Sequence, residues 1–181
     1  MTAKALTGNL VRLTVEDPEK DAELFAQWIQ DSEYQRLLDN DAARLFQAKS
    51  MREWIEKDAD HIYLFIIRTL SDDRPVGFID LGGIDWGARN GWVAIGIGLR
   101  EDWGKGFGTD AMKVLLRFAF EELNLHRVNL NVFEYNPRAI RSYEKAGFHH
   151  EGRQRQMLHR GGKRWDMIYM GILQNESESM P

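Results

Sequence analysis

At the start of the chain, apolar residues recur first at the spacing of a strand and then at the spacing of a helix. Residues 9–15, NLVRLTV, alternate between apolar and polar side chains and are rich in β-branched residues, which predicts a strand. From residue 16 to residue 32 the apolar side chains recur at helical spacing, which predicts a helix. Asp17 is suited to cap this helix and Pro18 to occupy its first position, where a missing amide N–H costs no hydrogen bond.

The middle of the chain repeats this alternation of helix and strand. Residues 37–46 show no period and predict a loop, and residues 50–59 predict a second short helix capped by Ser50. Three runs rich in apolar and β-branched residues predict strands: 61–69, 76–86 and 91–99. Turn residues 87–90 separate the last two runs, so we expect these strands to form an antiparallel hairpin.

The segment DWGKGFGT, residues 102–109, places three glycines at alternate positions just before a predicted helix that runs from about Gly106 to Leu123. A helix N-terminus leaves several amide N–H groups without partners at the positive end of the helix dipole. Glycines let a ligand come close to this backbone, so the segment predicts a phosphate site. Lys105 would add a charge there, unless it faces solvent.

The glycines by themselves also fit a tight turn before a helix, with no ligand. Two nucleotide-binding motifs fit poorly, because the spacing is neither G-x-x-x-x-G-K-[ST] nor a G-x-G-x-x-G that opens a βαβ unit. Further along, residues 127–133 predict a strand, and Asn136 and Pro137 predict the start of a helix that ends at Gly147. A last strand is expected to begin near Phe148.

The pairing of WGKGFGTDA with NPRAIRSYEKAGF resembles the GNAT superfamily of acetyl-CoA-dependent N-acetyltransferases, and within it the ribosomal-protein N-terminal and spermidine acetyltransferases. The motifs span residues 97–152, and the order of elements is compatible with this fold from about residue 8 to residue 173. The resemblance implies an α/β (α+β) fold, with a mixed, mostly antiparallel twisted sheet, a central splay and about four flanking helices. We expect residues 1–173 to form a single domain of this kind and the polar residues 174–181 to form a disordered tail.

The resemblance also implies where acetyl-CoA binds as co-substrate, with no metal. The strands that end near Leu99 and Phe133 splay apart, and the pantetheine arm lies in the gap against Ile97, Gly98 and Leu99. The pyrophosphate lies on the glycine loop: Gly104, Lys105, Gly106, Phe107, Gly108 and Thr109. Asn136 matches an asparagine that contacts the cofactor, and Tyr143 matches a tyrosine beside the thioester sulfur. Trp103 stands where many members carry Arg or Gln.

The implied reaction is attack of a neutral amine on a thioester. An alkyl amine is almost fully protonated at neutral pH, and losing its proton costs roughly 4–5 kcal/mol at pH 7. Tyr143 is the candidate catalytic residue, a neutral donor to the departing thiolate, with simple aromatic packing as its alternative role. Ala94 and Asn131 occupy the positions where related enzymes carry a glutamate, so no base is assigned. The substitutes are a water chain or one of three carboxylates: Asp80, Asp85 and Glu134.

Composition narrows the class of partner. The chain of 181 residues has a net charge of −4, so we do not expect it to bind nucleic acid. It contains no cysteine and no apolar run of membrane-spanning length, lacks a signal-peptide core, and its five histidines show no metal-ligand spacing. We therefore expect a soluble, cytoplasmic monomer or homodimer that does not bind a membrane.

Charge is distributed unevenly, with a net of −7 over residues 16–60 and +6 over residues 138–164. These are either two solvated surfaces or, in a functional interpretation, an acidic region that attracts a cationic acceptor. By the resemblance, residues 31–41 and 157–165 border the acceptor site. We expect the acceptor to be a primary amine of a small molecule or peptide: a polyamine, a protein N-terminus or another small amine. The alternatives are a non-catalytic acetyl-CoA-binding regulatory module and a protein-binding scaffold without CoA.

Overall fold

The computed structural model describes residues 5–58 and 62–177. In these residues the strands are β1 Val11–Val15, β2 Tyr63–Thr69, β3 Pro75–Asp85, β4 Asn90–Ile97, β5 Arg127–Phe133, β6 His149–Arg160 and β7 Lys163–Leu173. The helices are α1 Pro18–Trp28, α2 Ser32–Leu38, α3 Ala48–Asp58, α4 Phe107–Arg117, α5 Pro137–Lys145 and α6 Gln174–Ser177. The strands form one sheet in the order β1-β2-β3-β4-β5-β7-β6. This is the mixed α/β architecture that the sequence predicts.

The sheet is antiparallel except at its centre. β4 and β5 run parallel and pair through three residues each, Asn90–Trp92 with Arg127–Asn129. Beyond these pairs the two strands separate, while the neighbouring pairs β3–β4 and β5–β7 continue in register. The predicted central splay is therefore present, and it opens toward the C-terminal ends of β4 and β5.

Helices cover both faces of the sheet, each over its own hydrophobic core. On one face, which we call the α4 face, Ile79 and Leu81 of β3 pack with Met112 and Leu115 of α4. On the other, the α1 face, the core joins α1, α2 and α3 to strand residues such as Phe78. Alternate residues of β3 and β4 therefore point to opposite faces of the sheet, either the α4 face or the α1 face. The face to which a residue points determines which side of the gap between β4 and β5 it lines.

Two predicted helix starts are confirmed in atomic detail. The Asp17 carboxylate accepts a hydrogen bond from the Glu19 amide at 3.2 Å, and Pro18 is the first residue of α1. The Asn136 side chain accepts from the Ala139 amide at 3.2 Å, and α5 begins with a proline. Each cap satisfies an amide that the helix itself leaves free, which explains why local sequence located both helices.

Other boundaries differ from the prediction. The first helix ends at Trp28, and a separate helix, α2, follows where Asp31 caps Ser32–Leu38. The third helix begins at Ala48, so Ser50 lies inside its first turn instead of capping it. The long helix expected to reach Leu123 is α-helical through Arg117 and then continues as a π-helical turn, Phe118–Glu122.

The end of the sheet carries a short helix instead of the predicted disorder. Gln174–Ser177 form α6, and the Gln174 amide donates to the His126 carbonyl at 2.9 Å. The rest of the predicted tail, residues 178–181, lies outside the described residues, as do residue 59 of the second predicted helix and residue 61 of the next predicted strand. That residues 1–173 form a single domain stays a prediction.

Candidate active site

The N-terminus of α4 has no side-chain cap. Gly106 occupies the N-cap position, and the Asp110 amide donates to the Gly106 carbonyl at 3.0 Å as the first helical hydrogen bond. The three residues between them have amide N–H groups without an acceptor in the helix: Phe107, Gly108 and Thr109. These donors cluster at the positive end of the α4 dipole, where an anion is stabilised.

The three glycines of the loop serve different purposes. Gly104 and Gly106 have φ of 78° and 90°, in the left-handed region that side chains disfavour. Gly108 is not in that region, and a Cβ there would lie 3.6 Å from Ile97 Cγ1, which is an ordinary van der Waals distance. Among the described residues nothing therefore requires glycine at position 108. The missing side chain instead leaves the α4 amides accessible to a ligand.

A cleft of about 620 Å³ opens where β4 and β5 separate. The glycine loop, the edge of β4 and α5 all contribute to its wall. Eight of the residues predicted for the site line it: Ile97, Gly104, Gly106, Phe107, Gly108, Thr109, Asn136 and Tyr143. Residues distant in the sequence, from the two motifs, thus meet at one opening.

Three predicted site residues do not line the cleft. Gly98 packs under Trp28, whose ring a Cβ would overlap, so tight packing accounts for this glycine. Leu99 joins the hydrophobic core of the α1 face. Lys105 points back to Asp102, with Nζ 3.3 Å from Oδ1. These contacts place the three residues outside the described lining of the cleft.

Tyr143 both lines the cleft and packs against the core of the α4 face. Its ring centroid lies 6.2 Å from that of Phe148. Burial raises the pKa of Tyr143 to about 12, although the nearby charge of Arg138 acts in the opposite direction. The hydroxyl is therefore protonated at neutral pH and available as a neutral donor.

Trp103 directly precedes the first glycine of the loop and contacts both β4 and α5. Its Nε1 donates to the Ile97 carbonyl at 2.7 Å, and the Arg138 guanidinium lies 3.8 Å from the ring centroid. Burial lowers the pKa of Arg138 from its ordinary value, but a guanidinium remains charged at neutral pH. Arg138 from α5 thus places a cation beside the loop. The resemblance gave no indication of this residue.

The carboxylates named as possible bases occupy different places. Asp85 accepts from the Ala88 amide at 2.9 Å within the β3–β4 turn, and Glu134 accepts from the Asp166 amide at 3.2 Å. Neither lines the cleft, whereas Asp80 does. Ala94 and Asn131 also line it, without a carboxylate.

The other described carboxylate in the cleft wall belongs to Asp102, which is held in a buried ion pair. Its two oxygens accept from Arg74 at 2.7 and 2.8 Å, and its side chain is fully buried. The Arg74 hydrogen bonds keep the pKa of Asp102 below its ordinary value. Asp102 is therefore held by Arg74 at the start of the loop.

The wall on the α1 face carries an unusual hydroxyl. Tyr34 of α2 is 4% exposed, and its Oη is the one buried side-chain atom without a hydrogen-bond partner in residues 5–58 and 62–177. It rests against β4 at Gly96, where a Cβ would overlap it. Burial raises the pKa of this phenol well above its ordinary value, so it stays neutral. Tyr34 lies in the segment 31–41 that was expected to border the acceptor site, but no sequence pattern singled out its side chain.

Arg160 joins the two segments predicted to border the acceptor site. From the end of β6 its guanidinium donates to the backbone carbonyls of Arg36, Asp39, Asn40 and Asp41 at 2.6 to 3.2 Å. Tyr135 adds a hydrogen bond from its hydroxyl to the Arg36 carbonyl. The hairpin of β6 and β7 therefore holds the end of α2 and the chain that follows it. These carbonyls lie at least 119 residues away in sequence, so no local pattern indicates the contact.

Two further properties concern the described residues as a whole. None of their helices is long and apolar enough to cross a membrane. They also contain no group of three or more His, Cys, Asp or Glu side chains that is placed to hold a metal ion.

Comparison with known proteins agrees with this geometry. The family profile of the acetyltransferase (GNAT) domain matches residues 12–149. The SPbeta prophage-derived uncharacterized N-acetyltransferase YokL of Bacillus subtilis is 34% identical over 132 residues, which cover 72% of this chain and 73% of that protein. The putative ribosomal N-acetyltransferase YdaF of the same organism is 34% identical over 109 residues, or 60% of this chain and 59% of that protein.

Among solved structures, the spermidine N-acetyltransferase from Vibrio cholerae in complex with CoA and spermine superposes with a TM-score of 0.83. It is 23% identical, and the match covers 93% of this chain and 98% of that one. At this identity the likeness concerns the fold.

The splayed mixed sheet and the uncapped helix N-terminus at its opening agree with the GNAT acetyltransferase domain that the family profile indicates. The chain belongs to the GNAT acetyltransferase family, whose profile it matches over most of its length. Members of this family transfer the acetyl group of acetyl-CoA, so this protein is an enzyme that acetylates an amine.

Proposed function

We propose that this enzyme acetylates a primary amine on a cationic small molecule or peptide by direct attack on acetyl-CoA in the cleft between β4 and β5. The observation that carries the proposal is the placement of the uncapped α4 N-terminus and Tyr143 in the wall of one cleft. Anion-binding amides suit a pyrophosphate, and a neutral phenol suits a departing thiolate.

The residues present fit acetyl-CoA as a co-substrate. Gly108 leaves the free amides of the first α4 turn accessible, and Arg138 adds a cation beside them. Asn136 lines the same wall, although its side-chain oxygen already caps α5. When bound, acetyl-CoA supplies an activated acetyl carbon. The protein contributes orientation, exclusion of water and a proton donor.

Tyr143 is the proposed donor to sulfur. Its raised pKa keeps the hydroxyl protonated throughout the neutral range, so it is able to hydrogen-bond the sulfur as negative charge develops there. Its ring is fixed by the α4-face core, which holds the hydroxyl at the cleft wall without a loss of side-chain entropy during reaction.

A cationic acceptor is favoured by the acidic residues of the segment that includes α2, whose residues Tyr34, Leu37 and Leu38 line the cleft. Asp31 and Glu33 are paired with Arg100, while Asp39 and Asp41 are exposed on the segment held by Arg160. The described complex of the Vibrio cholerae relative with spermine, itself a polyamine, supports this class of acceptor. Because exposed charges are screened by salt, KM for such an acceptor should rise with ionic strength.

The test is an acceptor panel of polyamines, aminoglycosides, amino acids and N-terminal peptides, followed by release of CoA thiol. The chain has no cysteine, so the protein adds no thiol background. Turnover with cationic amines, and a KM that rises with salt, is the expected result. Binding of acetyl-CoA without turnover of any amine would favour the regulatory module, to which the absence of a carboxylate at Ala94 and Asn131 also points.

A further inference from the structure

We propose that Asp80 is the general base for the acceptor amine and that the Tyr34 hydroxyl holds the amine nitrogen beside it. This inference rests on the proposed function and adds to it the residues that receive the acceptor. The cleft has two walls, and the groups assigned so far lie mostly on the α4 face. Asp80 and Tyr34 lie on the α1 face.

The register of the sheet places Asp80 on the α1 face. It is paired with Leu64 of β2 and with Ala94 of β4. Directly opposed residues in antiparallel strands share a face, with Cβ atoms about 5 Å apart. Leu64 belongs to the core of the α1 face, so the Asp80 side chain emerges on that face too. The small Ala94 methyl leaves the space above β4 open to it.

Asp80 is also the carboxylate of the cleft wall that is suited to receive a proton. Among the described residues that line the cleft, Asp80 and Asp102 carry carboxylates. Asp102 is fully buried and doubly hydrogen-bonded by Arg74, which makes it a poor base. Asp80 lines the same cleft and, unlike Asp102, is half-buried. An ionised carboxylate there attracts an ammonium ion before it accepts its proton.

The Tyr34 hydroxyl is an independent sign that a ligand group belongs on this wall. Buried hydroxyls almost always have a partner, and this one, within the described chain, has none. Gly96 lies two residues beyond Ala94 on β4, so Tyr34 Oη rests about 7 Å along the strand from the residue that opposes Asp80. A neutral phenol accepts an N–H hydrogen bond, which is the contact that an attacking amine makes with its spare hydrogen.

The proton balance follows from these positions. The carboxylate of Asp80 takes one proton from the ammonium ion and passes it to solvent. The nitrogen, held by Tyr34, then forms the C–N bond with the acetyl carbon and loses its second proton to water. The C–S bond breaks with its electron pair on sulfur, and sulfur takes the proton of Tyr143, which solvent replaces. One amide and one thiol are formed, and one proton is released overall.

The experiment compares Asp80→Asn with wild type on two nucleophiles, an alkyl amine and hydroxylamine, which is largely unprotonated at neutral pH. We expect kcat with the alkyl amine to fall about 10²–10⁴-fold, the range of a general base, and kcat with hydroxylamine to fall less than about tenfold. Affinity for acetyl-CoA should stay close to wild type. Asp85→Asn, the same change in the β3–β4 turn, is the matched control and should leave both rates unchanged.

A companion variant, Tyr34→Phe, separates binding from folding. Because the hydroxyl has no partner among the described residues, its removal should not lower the melting temperature. KM for the amine should nevertheless rise about tenfold, while the affinity for acetyl-CoA is unchanged. An unchanged KM would overturn the role of Tyr34.

The outcomes distinguish the assignment of Asp80 as the base from the proposed function on which it rests. Near-native turnover of the alkyl amine by Asp80→Asn, or an equal loss with both nucleophiles, would overturn the base assignment and leave the proposed function intact. A wild-type protein that binds acetyl-CoA but acetylates neither nucleophile nor any amine of the panel would overturn the proposed function and the role of Asp80 with it.

Discussion

The hydroxyls of Thr109 and Ser142 lie 2.7 Å apart, and this hydrogen bond joins the first turn of α4 to α5 beneath the cleft. Thr109 belongs to the glycine loop, and Ser142 directly precedes Tyr143. The proposed pyrophosphate site and the proposed proton donor are therefore held in a fixed relation by two small polar side chains.

This contact predicts a measurable coupling. Thr109→Val and Ser142→Ala should each lower the free energy of unfolding by about 1 kcal/mol, because each removes one partner of a half-buried hydrogen bond. The double variant should lose much less than the sum of the two, which a double-mutant cycle by urea denaturation would show. Strictly additive losses would mean that the two hydroxyls do not stabilise one another.

A side chain added at position 108 of the glycine loop should lower the affinity for acetyl-CoA without lowering stability. Gly108→Ala places a methyl at an ordinary contact distance and replaces glycine in a helix, so the melting temperature should stay constant or rise. Affinity for acetyl-CoA, measured by calorimetry, should fall at least about tenfold, equivalent to about 1.4 kcal/mol.

Gly152→Ala, at a position with open space around it, is the control and should change neither quantity. Gly106 is less informative, because its φ of 90° makes any side chain strain the backbone and lower stability as well. Wild-type affinity in Gly108→Ala would contradict the assignment of the α4 N-terminus as the pyrophosphate site.

The shifted pKa of Tyr143 predicts a change in stability at high pH. A tyrosine with a pKa of about 12 in the folded protein and about 10 when unfolded keeps its proton in the folded state after the unfolded state has lost it. Stability is therefore unaffected below pH 10 and falls between pH 10 and pH 12, by about 2–3 kcal/mol for this group. Tyr143→Phe should show a shallower fall over that interval in urea denaturation, and identical slopes would argue against a buried hydroxyl.

Loss of the Arg160 hydrogen bonds should raise the acceptor KM without changing the affinity for acetyl-CoA. Arg160→Met keeps an unbranched apolar stem but removes the donors that hold four backbone carbonyls at the end of α2 and just after it. The acceptor KM should rise about five- to thirtyfold, as expected for a loss of about 1–2 kcal/mol. Arg164→Met, an exposed neighbour on β7, is the control. A rise in the dissociation constant for acetyl-CoA of the same size would instead indicate general unfolding of the hairpin.

Local chemistry explains which features could be predicted from the sequence. Asp17 with Pro18 and Asn136 with Pro137 act within one helical turn, so their residue types alone located two helix starts. The glycine loop is likewise a contiguous signal. α2 was missed because its seven residues are too few to show a helical period, and Asp31 was the available clue.

Long-range contacts explain what could not be predicted. Arg160 meets its carbonyl partners across at least 119 residues, and Asp110 accepts from the amides of Asn9, Leu10 and Val11 across about 100. The place of Asp80 in the cleft depends on the register of β3 with β4 and on where β5 departs from β4. Such relations appear after the sheet is assembled, and sequence spacing does not encode them visibly.

The most direct test of the account is kcat of Tyr143→Phe with the preferred amine, measured on the same preparation as its melting temperature and its affinity for acetyl-CoA. The variant removes one hydroxyl and keeps the ring in the α4-face core. If acetyl transfer takes place in this cleft with Tyr143 at the sulfur, kcat falls about 10²–10⁴-fold while affinity and melting temperature remain close to wild type. Near-native turnover would contradict the account, since it would place the departing thiolate away from Tyr143.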